Sequence, residues 1–134
     1  MDTGKSALGL DGNLAAALGY PIGIIAIISL IMEKENRFVK FHALQSILLH
    51  VGAIVVMIAV WILGIILVVA GIAASAAAST GAIGGLASML FGLIWLIFIV
   101  CYLIALIMSA VKAYGGTMFK LPIIGNMADK FANK

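Results

Sequence analysis

The sequence predicts an all-α membrane protein that forms one integral membrane domain over residues 1–134. Of its residues, 65% are hydrophobic and only 10% are charged, whereas soluble domains carry roughly 45–50% apolar and about 25% charged residues. A core built from a chain of this length cannot bury so much apolar surface, so lipid must solvate the remainder. The apolar residues form long uncharged runs, which predict three transmembrane helices at about 14–32, 44–74 and 86–111.

The first predicted span, Leu14–Met32, is just long enough to cross a hydrocarbon core about 30 Å thick at about 1.5 Å per residue. Pro21 removes one backbone donor, which predicts a kink near Gly19. Small residues recur at every fourth position, at Ala15, Gly19 and Gly23. Such a stripe allows another helix to approach closely.

A basic and aromatic turn follows the first span and separates it from the second. Phe38 and Phe41 lie at helical spacing with Leu48, while charged side chains occupy the other side of the same turns. This pattern predicts a helix start at the membrane surface, with its aromatic rings facing the lipid and its cations among the headgroups. Asn36 is the predicted N-cap of this helix.

The second span, 44–74, is longer than a bilayer needs, which indicates tilt or an interfacial first turn. Residues 73–88 are mostly alanine, glycine and serine and carry no charge, so both a continued helix and a turn are open, and Ser79–Gly81 favours a turn. The third span, 86–111, has Lys112 and Tyr114 at its interfacial end. The tail, 117–134, is predicted to form an amphipathic helix on the membrane, with a frayed soluble tail as the alternative.

The positive charges predict the orientation of a three-span chain. One side of the membrane would hold Lys5 alone, together with the turn near Ser79. The other side would hold all the remaining cations, which are Lys34, Arg37, Lys40, Lys112, Lys120, Lys130 and Lys134. The positive-inside rule then places residues 33–40 and the C-terminal tail in the cytoplasm. Because the cations lie beside apolar runs, no nucleic-acid partner is expected.

The polar residues give little indication of catalysis. The carboxylates occur only at positions 2, 11, 33, 35 and 129, outside the predicted spans, and no nucleophile–base pair is visible. The sequence therefore predicts no catalytic residue and no metal site. His42 and His50 are about 12 Å apart along a helix axis, so one metal ion cannot bridge them. Each could instead be an axial ligand of a haem or chlorophyll; the alternative is a structural histidine that faces protein or water.

Four stretches together resemble a known family: Asn13–Tyr20, Glu33–Ser46, Ala113–Gly116 and Lys120–Ala128. The element Phe38-Val39-Lys40-Phe41-His42-Ala43-Leu44-Gln45-Ser46 is the most specific of them. The chain is similar in these motifs to small prokaryotic membrane proteins related to the Tic-twenty component of the chloroplast inner-envelope import machinery. The resemblance implies a polytopic α-helical protein with a link to protein import, and it supplies no catalytic residues.

These observations predict a non-enzymatic accessory or assembly subunit of a larger membrane complex. The alternatives are a self-assembling transport or protein-translocation component, and a subunit that carries haem or chlorophyll through His50 or His42. Membrane lipids and other membrane subunits, or further copies of the chain, are the expected partners. The predicted docking site for lipids and partners comprises Arg37, Phe38, Lys40, Phe41, His42, Gln45 and Ser46.

Overall fold

A computed structural model describes residues 3–133 of the chain, and this part is all-helical. Its five helices are α1 (Gly12–Leu18), α2 (Gly23–Met32), α3 (Arg37–Ala77), α4 (Ala82–Tyr114) and α5 (Ile124–Ala132). Ahead of α1, the backbone of Lys5 pairs with that of Asp11 in an isolated β-bridge. The α-helical class predicted from composition is therefore confirmed.

The three-span prediction is not confirmed, because within residues 3–133 only α3 and α4 are long and apolar enough to cross a membrane. The predicted first span, 14–32, consists of the two short helices α1 and α2. A helix of ten residues such as α2 is only about 15 Å long, half the thickness of a hydrocarbon core. Pro21 explains the break, since its ring clashes with the carbonyl four residues earlier and it offers no N–H. The helix is therefore interrupted at Pro21 rather than only kinked.

The other two predicted spans, 44–74 and 86–111, lie within α3 and α4, and a turn over residues 78–81 joins the two helices. Ser79 adopts a positive φ of 51° in this turn. The Gly84 amide donates to Ser75 Oγ at 2.7 Å, so a side chain from α3 satisfies one of the unpaired donors in the first turn of α4. At the start of α3, Asn36 Oδ1 accepts from the amides of Phe38 and Val39, which confirms the predicted N-cap.

The chain divides into two compact units: Met1–Gly52 with Leu103–Lys134, and Ala53–Tyr102. The second unit is the distal part of the α3–α4 hairpin. Its two helices approach closely at glycines, since a Cβ on Gly71 would come within 2.7 Å of Ala87 Cβ, and one on Gly64 would collide with the Phe91 ring. This unit carries no charged residue.

The first unit contains α1, α2, α5 and the ends of α3 and α4. Phe41 of α3 packs with Ala128 and Ala132 of α5 in a buried cluster, which Leu44 and Met118 border. The helix α5 is amphipathic as predicted, but its buried face contacts α3 of the same chain. Of the apolar residues in the tail, Leu121 is buried whereas Phe131 is exposed.

A strained turn precedes α5. Ile123 has φ 65° and ψ −63°, and the Ile124 amide donates to the Pro122 carbonyl at 2.7 Å. These values describe a γ-turn with positive φ, which is rare, and a β-branched residue seldom adopts it. The turn lets the chain reverse sharply after Leu121, whose amide is needed in the site described next.

Candidate functional site

The candidate site is a buried group of polar side chains in the first unit, named here the polar network: Tyr20, His42, Gln45 and Ser46. All four side chains are fully buried. Three of them lie on α3, where a spacing of three or four residues places them on one face. Tyr20 comes from the break between α1 and α2, so the break at Pro21 directs a phenol towards α3.

The hydrogen bonds of His42 have a defined direction. His42 Nε2 lies 3.1 Å from the Thr117 carbonyl oxygen, which can only accept, so Nε2 carries the proton. The Tyr20 hydroxyl lies 3.0 Å from Nδ1 and donates to it. This tautomer is assigned from the partners, and it satisfies both ring nitrogens. The rings of Phe38 and Phe41 pack edge-on against the imidazole.

Gln45 joins three segments of the chain through its amide. Its Nε2 donates to the Tyr20 hydroxyl at 2.8 Å and to the Phe119 carbonyl at 3.0 Å. Its Oε1 accepts from the Leu121 amide at 3.1 Å. Gly125 lies against the same oxygen, since a Cβ there would be 2.8 Å from Oε1. The amide is therefore held between the α1–α2 break and the residues that lead into α5.

Ser46 completes the network one turn further along α3, where its hydroxyl donates to the Gly19 carbonyl at 2.7 Å. That carbonyl lies at the end of α1, where backbone acceptors lack helical partners. The hydroxyl of Ser29 is also buried and makes no hydrogen bond with another atom in residues 3–133, and the Ser109 side chain is buried as well.

Charged residues form the rim of the site. Asp129 of α5 accepts from Lys120 and from Arg37, each at 2.8 Å. These two contacts, with Lys120 the larger contribution, hold the pKa of Asp129 below its usual range. The Glu33 carboxylate accepts from the amides of Ala7 and Asn36 at 2.8 and 3.1 Å, which joins the residues before α1 to the start of α3.

The structure separates the predicted docking residues into two groups. Phe41, His42, Gln45 and Ser46 are buried inside the chain, so contact with a lipid or partner would first require this unit to open. Arg37 is exposed and paired with Asp129, and Phe38 and Lys40 are partly exposed. The grouping of these residues at the start of α3 is as predicted, but most of their polar atoms bond within the chain.

The two histidines occupy different surroundings. Ligation of a haem or chlorophyll by His42 would require one of its two hydrogen bonds to be given up. His50 Nδ1 donates to the Ser46 carbonyl at 2.8 Å, and His50 Nε2 lies beside Gly23 of α2. Axial ligation by either residue stays a prediction.

Sequence reasoning missed Tyr20 and the backbone groups of residues 117–121 as members of the site. Tyr20 precedes Pro21 within an apolar run. A tyrosine beside a predicted helix kink is the feature from which its membership of the site could have been inferred. The carbonyls of Thr117 and Phe119 and the Leu121 amide have no sequence signature, because every residue type carries a backbone.

These features define a small helical membrane protein with two helices of spanning length and an internally bonded polar network. The chain belongs to the magnetosome magnetite crystal formation protein family, whose family model matches residues 7–128. It is also similar to archaeal membrane proteins. A UPF0132 membrane protein of Methanocaldococcus jannaschii is 38% identical over 130 residues, which cover 96% of each chain. One of Archaeoglobus fulgidus is 33% identical over 119 residues, covering 88% of this chain and 92% of the relative.

These matches correct the resemblance drawn from the motifs. The family that matches nearly the whole chain is not the Tic-twenty-like one, so that assignment was wrong, and its link to protein import is withdrawn. No solved structure matches this chain.

Proposed function

We propose that this protein is a non-enzymatic accessory or assembly subunit of a larger membrane complex, with helix α4 as its partner-binding surface. The observation that carries the proposal is an open glycine face on α4, defined by Gly85 and Gly92. A Cβ built on either residue meets no described atom within 4 Å. Glycines at such positions allow the backbone of another membrane helix to approach closely.

The glycine face points away from the partner helix within the chain. Residues seven apart on an α-helix differ by only about 20° in direction, so Gly85 and Gly92 share one side of α4. Ala87, which contacts Gly71 of α3, lies about 160° away from Gly85 on the same helix. The α3–α4 contact therefore uses one side of α4 and leaves the glycine face for a helix from outside the chain.

The hydrogen bonds of the polar network support a structural role for its buried side chains. Its hydrogen bonds are satisfied by the chain itself, and each bond ties one segment to another. Asp11 and Asp129 are ion-paired, and Glu33 is bonded to backbone amides. Carboxylates and polar side chains that already bond to other groups of the chain are poorly placed for proton transfer to a substrate.

The family description refers to magnetite crystal formation, but the proposed role does not rest on iron binding by this chain. Among residues 3–133, no group of three His, Cys, Asp or Glu side chains is placed to hold a metal ion. Helix packing in a membrane assembly needs only the exposed helical surface.

For location we propose a prokaryotic cytoplasmic membrane, with residues 33–40 and the residues after α4 facing the cytoplasm. The motive is the concentration of Lys and Arg in the first unit and their absence from residues 53–102. Lipid contact is proposed for the accessible members of the predicted docking set: Arg37, Phe38 and Lys40.

The test is the composition of the complex purified in mild detergent, measured by mass spectrometry of the intact assembly. Gly85→Ile and Gly92→Ile place bulk on the glycine face and are expected to remove the co-purifying subunits. Leu90→Phe is the matched control, because it adds bulk on another side of α4 at a position that is already exposed. Loss of the subunits in all three variants, or in none, contradicts the proposal. A discrete homo-oligomer that conducts ions in bilayers would favour the transport alternative.

A further inference from the structure

We propose that residues 12–32 form a re-entrant helical hairpin, which enters and leaves the membrane on the same side and buries the isoleucine face of α2 among lipid acyl chains. The proposal concerns the membrane topology of α1 and α2 and does not depend on the accessory role. It also assigns residues 3–11 to the membrane side that carries residues 33–40.

Both ends of this segment lie at the end of the first unit where α3 begins and α4 ends. At the start of α1, Asn13 Nδ2 donates to the carbonyl of Tyr114, the last residue of α4, at 3.0 Å. Just ahead of α1, the Thr3 carbonyl accepts from Asn36 Nδ2 at 2.7 Å. At the end of α2, Glu33 accepts from the Ala7 amide. An open cavity also lies between residues 3–7 and 32–37. Segments in such contact cannot lie on opposite sides of a bilayer.

The turn between α1 and α2 marks the deepest point of the segment. The Gly19 carbonyl bonds to Ser46, and Gly23 lies beside His50. Measured down α3 from Arg37, these positions are about 14 Å and about 20 Å along the helix axis. A hydrocarbon core is about 30 Å thick. The segment therefore turns back before it would reach the far side.

The exposed face of α2 has the chemistry of a lipid contact. Ile24 and Ile31 are 64% and 73% exposed, and Ile27 and Ile28 between them are also exposed. The opposite face, with Ala26 and Ser29, is buried against the chain. Because Gly23 lies beside His50, the isoleucine face borders α3, a candidate span with exposed apolar side chains from Val51. The α2 face thus continues the exposed apolar surface of this candidate span.

The re-entrant path also changes the charge balance. With three spans, Lys5 would oppose the other cations across the membrane. In the proposed topology Lys5 lies on their side, and every Lys and Arg of the described residues does so: Lys5, Lys34, Arg37, Lys40, Lys112, Lys120 and Lys130. Such a distribution has no opposing cation, which strengthens the orientation signal.

The test uses single cysteines in the full chain with Cys101 replaced by serine, labelled with a membrane-impermeant maleimide in sealed vesicles. Ala7→Cys, Lys34→Cys and Asn133→Cys are expected to react from one side, and Ser79→Cys from the other. All four positions are exposed, and Ala7→Cys keeps the backbone amide that bonds to Glu33. Reaction of Ala7→Cys from the same side as Ser79→Cys would show a complete crossing and overturn the proposal.

A second measurement does not depend on vesicle orientation. The double variant Ala7→Cys/Lys34→Cys is expected to form an intramolecular cross-link with a short bis-maleimide, which a bilayer between the two positions would forbid. Ala7→Cys/Ser79→Cys is the matched pair that must not react. For the lipid contact, Ile31→Trp with Trp61 and Trp95 replaced by phenylalanine is expected to be quenched by brominated lipids. Unquenched tryptophan would mean that protein covers α2, and that part of the proposal would fall.

Discussion

Gln45 illustrates at the residue scale how a polar side chain is accommodated in an apolar protein. Its amide makes three hydrogen bonds, to Tyr20, Phe119 and Leu121, and leaves little unsatisfied capacity. A buried donor or acceptor that loses its partner costs about 1–3 kcal/mol. Gln45 therefore stabilises the fold mainly by satisfying backbone groups that would otherwise be orphaned.

Gln45→Leu is expected to lower the free energy of unfolding by about 1–3 kcal/mol, because the Leu121 amide and the Phe119 carbonyl lose their partner. The measurement is the unfolding transition in mixed micelles, followed by circular dichroism. Ser88→Ala is the matched control, since the exposed Ser88 hydroxyl bonds only to Gly84 on its own helix. An equal change in the two variants would show that the network adds nothing to stability.

The sequence predicted where the polar residues of α3 cluster but not what they contact. Spacing alone places His42, Gln45 and Ser46 on one face, and the interface was the expected environment for that face. The structure buries it, because residues 117–121 and the α1–α2 break supply matching backbone groups. The partners in residues 117–121 lie 74 to 76 residues away and those at the α1–α2 break lie 22 to 27 residues away, and no local pattern encodes such distances.

At the element scale, an ion-pair cluster around Asp129 supplements the buried apolar contacts that hold α5 against α3. Lys120 and Arg37 lower the pKa of this carboxylate in the folded chain relative to its ordinary value of 3.8. A depressed folded-state pKa contributes stability above the unfolded value, and that contribution is lost as the pH falls through the folded pKa. The cluster is largely exposed, so salt is expected to weaken it as well.

Acidification is therefore expected to loosen the contact of α5 with α3 at pH values below 3.8, where Asp129 becomes protonated. The measurement is cleavage of residues 124–132 by pepsin between about pH 5 and about pH 2, the range in which carboxylates titrate, with each rate divided by that for an unstructured reference peptide at the same pH. Asp129→Asn should make the segment equally susceptible across this range. Asp11→Asn, which removes the separate ion pair with Lys5, is the control and should behave like the unmodified chain. A flat response of the unmodified chain would contradict the role of Asp129.

The helices were predicted with unequal success, for physical reasons. Long uncharged runs placed α3 and α4, and the small residues at 78–81 placed the turn, because both signals are local. Pro21 indicated a kink, but the difference between a kink and a break depends on tertiary partners. Here Ser46 bonds to the Gly19 carbonyl and His42 bonds to the Tyr20 hydroxyl. These contacts favour an interrupted helix over a kinked one.

At the scale of the whole molecule, the two compact units differ in what holds them. The first unit is tied by hydrogen bonds between distant segments, whereas the second is a hairpin packed at Gly64 and Gly71. Local regions of a protein open with different free energies according to such contacts. Loss of the segment after α4 should therefore lower the local stability of the first unit and leave that of the second unit unchanged.

Truncation after Gly116 is expected to increase hydrogen exchange of residues 37–52 by about tenfold or more, equivalent to about 1.4 kcal/mol of local stability. The reason is the loss of the partners of His42 and Gln45. Residues 53–102 are expected to keep their protection. Truncation after Ala132, which retains α5, is the control. Equal deprotection of both regions would show that the chain opens as one cooperative body.

The partners of Gln45 also set an order of events during synthesis. A ribosome makes α3 long before it makes Phe119 and Leu121, which lie 74 and 76 residues further along the chain. Translation adds only about 5–20 residues per second, so several seconds pass before the hydrogen-bond partners of His42 and Gln45 in residues 117–121 are synthesised. During that interval a nascent chain carries exposed polar side chains at the membrane edge, where insertion factors and quality-control proteases act. The segment that follows α4 thus closes the site, and a nascent chain that lacks this segment would expose an open polar network.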